Sequence, residues 1–224
     1  MAGADTIVEP LVARSIDTRP KTITTAIGYE ARMALESLAD GEVLEVVTED
    51  FEPIEADLQV WCRSSGQRLV RSEHTAEGLR FLIEKGPTEA GNKSLAMVIS
   101  TDGLEELLSP LSFALAAMLE GIETYLYFQG PGVRVLSRGF KPRLHGWARP
   151  FSRFAAAGLA KTGHVSAQEK LRQLRSLGAR VYVCGPSLQH FKVSKDELVF
   201  DDLPLVEYLS FMALMEHADV HVYS

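Results

Sequence analysis

The chain has 224 residues, 46% hydrophobic and 24% charged, with a formal net charge of −7 and two cysteines. That balance belongs to a folded globular protein and excludes a disordered or low-complexity polymer. Cys62 and Cys184 are too few and too far apart for a disulfide framework, and the longest apolar stretch, near Leu111 to Leu119 and broken by Ser112, is too short to span a bilayer.

Asp5 and Glu9 stand where a secretory signal would carry basic and then apolar residues, so a cytoplasmic location with free thiols is expected. Charge is unevenly placed. Residues 1–89 hold 17 acids against 9 bases, a net of −8, and residues 90–224 hold 13 against 14, a net of +1. Such an asymmetry points to a domain boundary. The Gly-, Pro- and Asn-bearing stretch from Gly86 to Asn92 reads as a linker, giving domains at 1–86 and 93–224 joined by 87–92.

In chain order, the front domain opens with a strand near Leu11 to Asp17. A helix follows from about Thr25 to Ala39, with Ile27, Ala31, Leu35 and Leu38 on one face, Thr24 or Thr25 as its cap and Gly41 as its end. Val43 to Thr48 is a second strand. Pro53, after Asp50 or Glu52, starts a helix with Ile54, Leu58, Trp61 and Cys62 inward. Gln67 to His74 and Gly78 to Glu84 make a hairpin around Thr75 to Glu77. The order βαβαββ predicts a two-layer α/β sandwich.

Beyond the linker, Lys93 to Thr101 is a buried strand, and Asp102 caps a helix with Leu104, Leu108, Leu111, Leu115 and Leu119 in register. Ile122 to Phe128 is a strand and Ser166 to Leu177 a helix. Ala179 to Cys184 is a strand, Pro204 to His217 a helix, and Val220 to Tyr223 a last strand. Alternating strands and helices predict an α/β fold, a mostly parallel sheet with helices on both faces.

Cys184 ends its strand and meets Gly185, Pro186 and Ser187, which open a helix. The carboxyl end of a strand in an α/β sheet is where ligands bind, and a helix start favours a thiolate. The competing reading is a small buried hydrophobe. The amides of Gly185 and Ser187 and the Ser187 hydroxyl are candidate donors to developing negative charge; Pro186 has no amide hydrogen. His190 is either a proton donor to the thiol or an exposed helix histidine.

From Gly130 to Gln168 there is no Asp or Glu, but Arg134, Arg138, Lys141, Arg143, Arg149, Arg153 and Lys161 occur, with His145, Trp147 and His164 among them. The stretch reads either as a solvated, exposed loop or as a cover over the thiol pocket. As a cover, Lys141, Arg143, His145 and Arg149 would attract an anionic sulfur donor or an acidic protein carrier. The acidic run of Glu42, Glu45, Glu49, Asp50, Glu52, Glu55 and Asp57 is a candidate to dock on it. Nucleic acid is disfavoured by a pI of about 5.4. No dinucleotide fingerprint follows Gly130, no His and Cys spacing suits zinc, and no nucleophile elbow occurs, so neither cofactor nor metal is expected.

Leu171 to Val199 carries a helix ending in Leu177 and Gly178, a strand ending in a single Cys, a small-residue turn and the run Ser194 to Leu198. With the aromatic edge from Tyr125 to Gly130, this stretch resembles the DsrE/DsrF-like family, over roughly residues 92–224. The resemblance implies that Cys184 accepts sulfane sulfur as a persulfide and passes it to a partner thiol, and that the chain forms a homo-oligomer. It makes the protein a sulfurtransferase, or a sulfur carrier if turnover needs other proteins. Its partners would be sulfur-donor and sulfur-acceptor proteins or small sulfane-sulfur species, with no membrane.

The front domain resembles TusA/SirA-like carriers in strand order, in Ala39 to Glu42 before the second strand, and in Asp57 to Cys62. That family bears a Cys-Pro-x-Pro motif at the start of the first helix. Here Ile23 to Ile27 offer neither Cys nor Pro, and Cys62, beside Trp61 and Leu58, reads as a buried structural thiol. The rival to sulfur relay is a non-catalytic binding or regulatory module; a third option is a redox sensor that oxidises to sulfenic acid.

Overall fold

A computed structural model describes residues 10–87 and 93–224. The chain divides into two compact units, Met1–Thr88 and Glu89–Ser224. Of the expected linker at 87–92, residues 88–92 lie outside the described residues.

The first unit comprises β1 (Val12–Asp17), α1 (Thr24–Glu36), β2 (Val43–Thr48), α2 (Glu52–Ser64), β3 (Arg68–Thr75) and β4 (Gly78–Glu84). The sheet order is β1-β2-β4-β3, with β1 and β2 parallel and the other pairs antiparallel. Leu44, Val46, Phe81 and Ile83, paired across β2 and β4, turn one face inward. Ile27, Ala31 and Leu35 of α1 and Ile54, Leu58 and Trp61 of α2 are buried with them. The two-layer βαβαββ sandwich is therefore as the pattern predicts.

The hairpin turn needs its glycine. Gly78 has φ of +135°, and a Cβ there would lie 2.1 Å from the Thr48 carbonyl oxygen. The ends of α1 differ from expectation. Ile23 is the N-cap and offers no side-chain bond; the Thr24 hydroxyl instead donates to Asp57 at 2.7 Å. The helix stops at Glu36, where the Ser37 hydroxyl folds back on the Ala34 carbonyl at 2.7 Å, well before Gly41.

The second unit contains β5 (Ser94–Ile99), α3 (Leu104–Leu119), β6 (Glu123–Phe128), α4 (Ser152–Lys161), α5 (Ala167–Ser176), β7 (Arg180–Cys184), α6 (Gly185–His190), β8 (Leu205–Val206), α7 (Tyr208–Met215) and β9 (Val220–Tyr223). The five strands run β8-β7-β6-β5-β9, every pair parallel. Going from β5 to β6 to β7 the chain steps one way across the sheet, so right-handed crossovers put α3 and α5 on one face. From β8 to β9 it steps back, which sends α7 to the other face. Strand alternation matches this: Ala96, Val98, Tyr127 and Cys184 cluster with Phe211 of α7.

Three expectations are corrected. Gly103, not Asp102, precedes α3, because the Asp102 carboxylate accepts from Arg134 at 3.0 Å instead. Pro204 to His217 is not one helix. Leu205 and Val206 extend to pair with Val183 and Cys184, and helix begins only at Tyr208. The basic stretch is not a plain exposed loop. Gly130–Leu136 is a 3-10 run that buries Val133, Val135 and Leu136, and a second 3-10 run, Gly146–Phe151, leads into α4. Among the described residues no helix is long and apolar enough to cross a membrane.

Candidate functional site

Cys184 is the last residue of β7 and the N-cap of α6. Chain extension places it beside Val206 of β8, and alternation points it to the α7 face. It is 1% exposed. It belongs to a buried cluster with Ala96, Val98, Tyr127 and Phe211, against which Tyr125, Tyr182, Val206 and Leu214 pack partly buried.

Tyr127 is the residue that the sequence alone did not single out. Its ring stacks on Phe211 with centroids 4.7 Å apart, and Tyr208 meets it edge-on at 6.3 Å. Its hydroxyl is buried and has no hydrogen bond of full geometry among the described residues. Burial first, and then the adjoining Cys184 thiol, raise the Tyr127 pKa above the ordinary phenol value. A weak donor thus stays protonated beside a sulfur atom. The alternation in Tyr125 to Phe128 was a visible signal, but only the register of β6 on β7 brings that hydroxyl to the thiol.

The other expected residues separate into two places. Gly185 opens α6. Ser187 is buried, and its hydroxyl accepts from the Gly130 amide at 2.9 Å, tying the first turn of α6 to the 3-10 run. His190 is exposed at the far end of α6, edge-on to Phe191 at 4.9 Å. With a rise of about 1.5 Å per residue it stands roughly 8 Å along the axis from the helix start. The structure brings Tyr127 to Cys184, keeps Gly185 and Ser187 in the next turn, and leaves His190 outside.

Lys141, Arg143 and Arg149 line a different feature, a cavity of about 750 Å³ between α3, α4 and α5 whose walls do not include Cys184. Crossover handedness puts these helices on the face opposite α7, so Lys141, Arg143 and Arg149 border this cavity rather than the thiol. His145 sits near it and faces Glu106 at 3.4 Å. Lys170, 4% exposed, lies in the cavity wall with its ammonium donating to the Ser112 hydroxyl at 2.8 Å. Burial lowers its pKa to about 8. His164, also in the wall, has a buried Nδ1 without a partner among the described residues, and burial lowers its pKa too. Neither residue stood out in the sequence, because burial of a charged helix residue shows only in three dimensions.

In the first unit, Ile23 to Ile27 form the start of α1 without a thiol, and Cys62 is 1% exposed, its pKa pushed up to about 12 by burial. Among the described residues no group of three or more His, Cys, Asp or Glu is placed to hold a metal ion.

Residues 93–223, more than half of the chain, match the DsrE/DsrF-like family. The chain belongs to the DsrE/DsrF-like family. Residues 29–85 match the family described as Sulfurtransferase TusA, and that match begins beyond Ile23 to Ile27. Both are sulfur-relay families, which supports a sulfur-transfer role in general and implies sulfur-transfer partner proteins. Among solved structures the chain is similar to the ychN protein from E. coli, at 17% identity and a TM-score of 0.45, over 59% of this chain and 99% of that one. No curated protein matches.

Two outcomes follow from the burial of these groups in the DsrE/DsrF-like chain. Cys62, with a thiolate fraction on the order of one in ten thousand at pH 8, resists iodoacetamide in the native protein and alkylates only in denaturant; peptide mapping after a timed pulse reads this. Lys170 carries an ammonium whose folded pKa of about 8 lies below the ordinary 10.5. Its cost to folding is complete below pH 8, is relieved as pH rises from about 8 to 10.5, and is absent above. Lys170→Met therefore raises stability at pH 7 by on the order of 1–3 kcal/mol, and by clearly less at pH 9.5. Urea unfolding at both pH values measures it, and an equal gain at both would reject burial of charge as the cause.

Proposed function

We propose that this chain takes a sulfane sulfur on Cys184 as a persulfide and passes it to the thiol of a partner. The observation that carries the reading is Cys184 at the carboxyl end of β7 with the unpartnered Tyr127 hydroxyl beside it. In the first step the Cys184 thiolate attacks the outer sulfur of a donor persulfide. The donor S–S bond breaks, the donor leaves as a thiolate, and Cys184 carries the outer sulfur. In the second step an acceptor thiolate attacks that sulfur and Cys184 departs as a thiolate. The sulfane sulfur keeps its oxidation level throughout, so no outside oxidant is needed. Charge gathers on the Cys184 sulfur at the start of the first step and the end of the second, where a protonated Tyr127 donates a hydrogen bond. The amides of Gly185 and Ser187 stand in the adjoining turn. His190 has no part in this scheme.

Access requires this cluster to open, because Cys184 is 1% exposed and shares it with Phe211 of α7, itself 2% exposed. The same helix leaves Tyr208, Leu209 and Met212 exposed at 60, 88 and 57%. Apolar surface of this kind supports an assembly of several copies through α7. Donor and acceptor are proteins of the sulfur relay or small sulfane-sulfur species, met in a reducing cytoplasm. The thiol-less first unit serves as a docking adaptor for such proteins, with Lys141, Arg143, His145 and Arg149 as candidate contacts for acidic ones. The rival, a non-catalytic binding module, draws on the deep burial of Cys184.

Intact mass after polysulfide treatment decides between them. Wild type and Cys62→Ser gain reductant-sensitive sulfur, Cys184→Ser gains none, and Tyr127→Phe gains it about tenfold more slowly, the loss of one hydrogen bond to a charged group. Absence of sulfur from Cys184 would leave the binding module. Separately, Leu209→Asp combined with Met212→Asp lowers the mass of the assembly in light scattering; a mass equal to that of wild type would remove α7 as the contact.

A further inference from the structure

The cavity between α3, α4 and α5 has no place in the sulfur chemistry, since Cys184 lies on the other face of the sheet. Its volume of about 750 Å³ is that of a small-molecule pocket. Leu104, Leu107, Leu108 and Leu111 of α3 form one apolar wall, and Leu159 with Ala160 of α4 the opposite one. Every charged lining residue is a base: Lys141, Arg143, Arg149, Arg153 and Lys170, with His164 beside them. Among the described residues, none of these cations has a carboxylate partner. Two of the polar groups are not surface features. Among the described residues, Lys170, 4% exposed, has only the Ser112 hydroxyl as acceptor, and the buried Nδ1 of His164 has no partner. A buried cation without a counter-ion in an apolar groove is costly, and the arrangement is completed by an anion supplied from outside.

We propose that this groove binds a straight-chain anionic amphiphile of the fatty-acid class, its carboxylate at Lys170 and its tail along Leu104, Leu108, Leu111 and Leu159. A hydrocarbon tail suits the walls formed by Leu104, Leu107, Leu108 and Leu111 with Leu159 and Ala160, where the lining is apolar. The narrow head reaches an ammonium that is almost closed off from solvent. An acidic protein helix fits less well, because it would bring its own peptide groups and a broad backbone to the same floor. Arg149 and Arg153 at the exposed rim raise the local concentration of anions. The site works whether or not Cys184 carries sulfur.

Isothermal titration of the full chain with dodecanoate below its micellar concentration tests the proposal. One dodecanoate binds per chain, while dodecanol, dodecyltrimethylammonium and octanoate each bind at least tenfold more weakly. Lys170→Met weakens dodecanoate at least tenfold and leaves dodecanol unchanged. Leu108→Trp, which fills the groove, abolishes binding of all four, with circular dichroism confirming its fold. Cys184→Ser binds dodecanoate as wild type does, which separates this site from the persulfide reading. The proposal is overturned by no binding of dodecanoate, by equal binding of dodecanoate and dodecanol, by a Lys170→Met variant that binds as wild type, or by tighter binding of an acidic amphipathic helical peptide.

Discussion

The two-residue period of the parallel sheet governs where chemistry sits in the second unit. Consecutive side chains of β5, β6 and β7 point to opposite faces, and right-handed crossovers assign α3 and α5 to one face and α7 to the other. Ala96, Val98, Tyr127 and Cys184 therefore meet Phe211, while Met97, Ile99, Leu126 and Val183 belong to the α3 side. A one-residue shift of β7 against β6 would turn Cys184 to the other face and dissolve its pairing with Tyr127. Parallel register is thus the condition for any thiol chemistry here. Lys141, Arg143, Arg149 and Arg153 lie instead at the cavity among α3, α4 and α5.

Burial of polar groups is tolerated in this unit at a few points, each with a different chemical sense. A buried hydroxyl without a full hydrogen bond costs about 1–3 kcal/mol, and burial together with the adjoining Cys184 thiol holds Tyr127 in the protonated, donor form. Lys170 keeps one neutral acceptor and a lowered pKa, which weakens its hold on a proton yet leaves it cationic at neutral pH. An acid group among its neighbours would have relieved that strain, and the stretch from Gly130 to Gln168 contains none. Ser187 shows the ordinary solution by contrast: its hydroxyl is buried and bonded to Gly130. The unpaired groups stand out because most of the interior follows the ordinary solution.

Periodicity made the strands and the main helices legible. Val43–Thr48 and Gly78–Glu84 were readable to the residue, since alternation and a hairpin turn bound them on both sides. Cap positions were not, because Thr24 and Asp102 each had a carboxylate or guanidinium partner distant in sequence that outbid the local backbone. Leu205 and Val206 read as helix only because their strand partner, β7, is invisible from local pattern. In the site, Cys184 was legible from its place at a strand end followed by Gly185 and Pro186. Tyr127, Lys170 and His164 were not. Their significance lies in what surrounds them, and a sequence of one chain gives no measure of that.

The first unit offers no exposed thiol. The start of α1 holds Ile23, Thr24 and Thr25, with the Thr24 hydroxyl bonded to Asp57. Cys62 offers no substitute, because burial on the inner side of α2 holds its thiol near pKa 12 and away from solvent. Any covalent sulfur step in this chain must then use the second unit, and there a single cysteine is present. Phe211 of α7 shares the buried cluster of that cysteine and stacks on Tyr127, while Leu209 and Met212 of the same eight residues face outward. Under the proposed relay, an event at the outer face of α7 would therefore bear on exposure of the thiol.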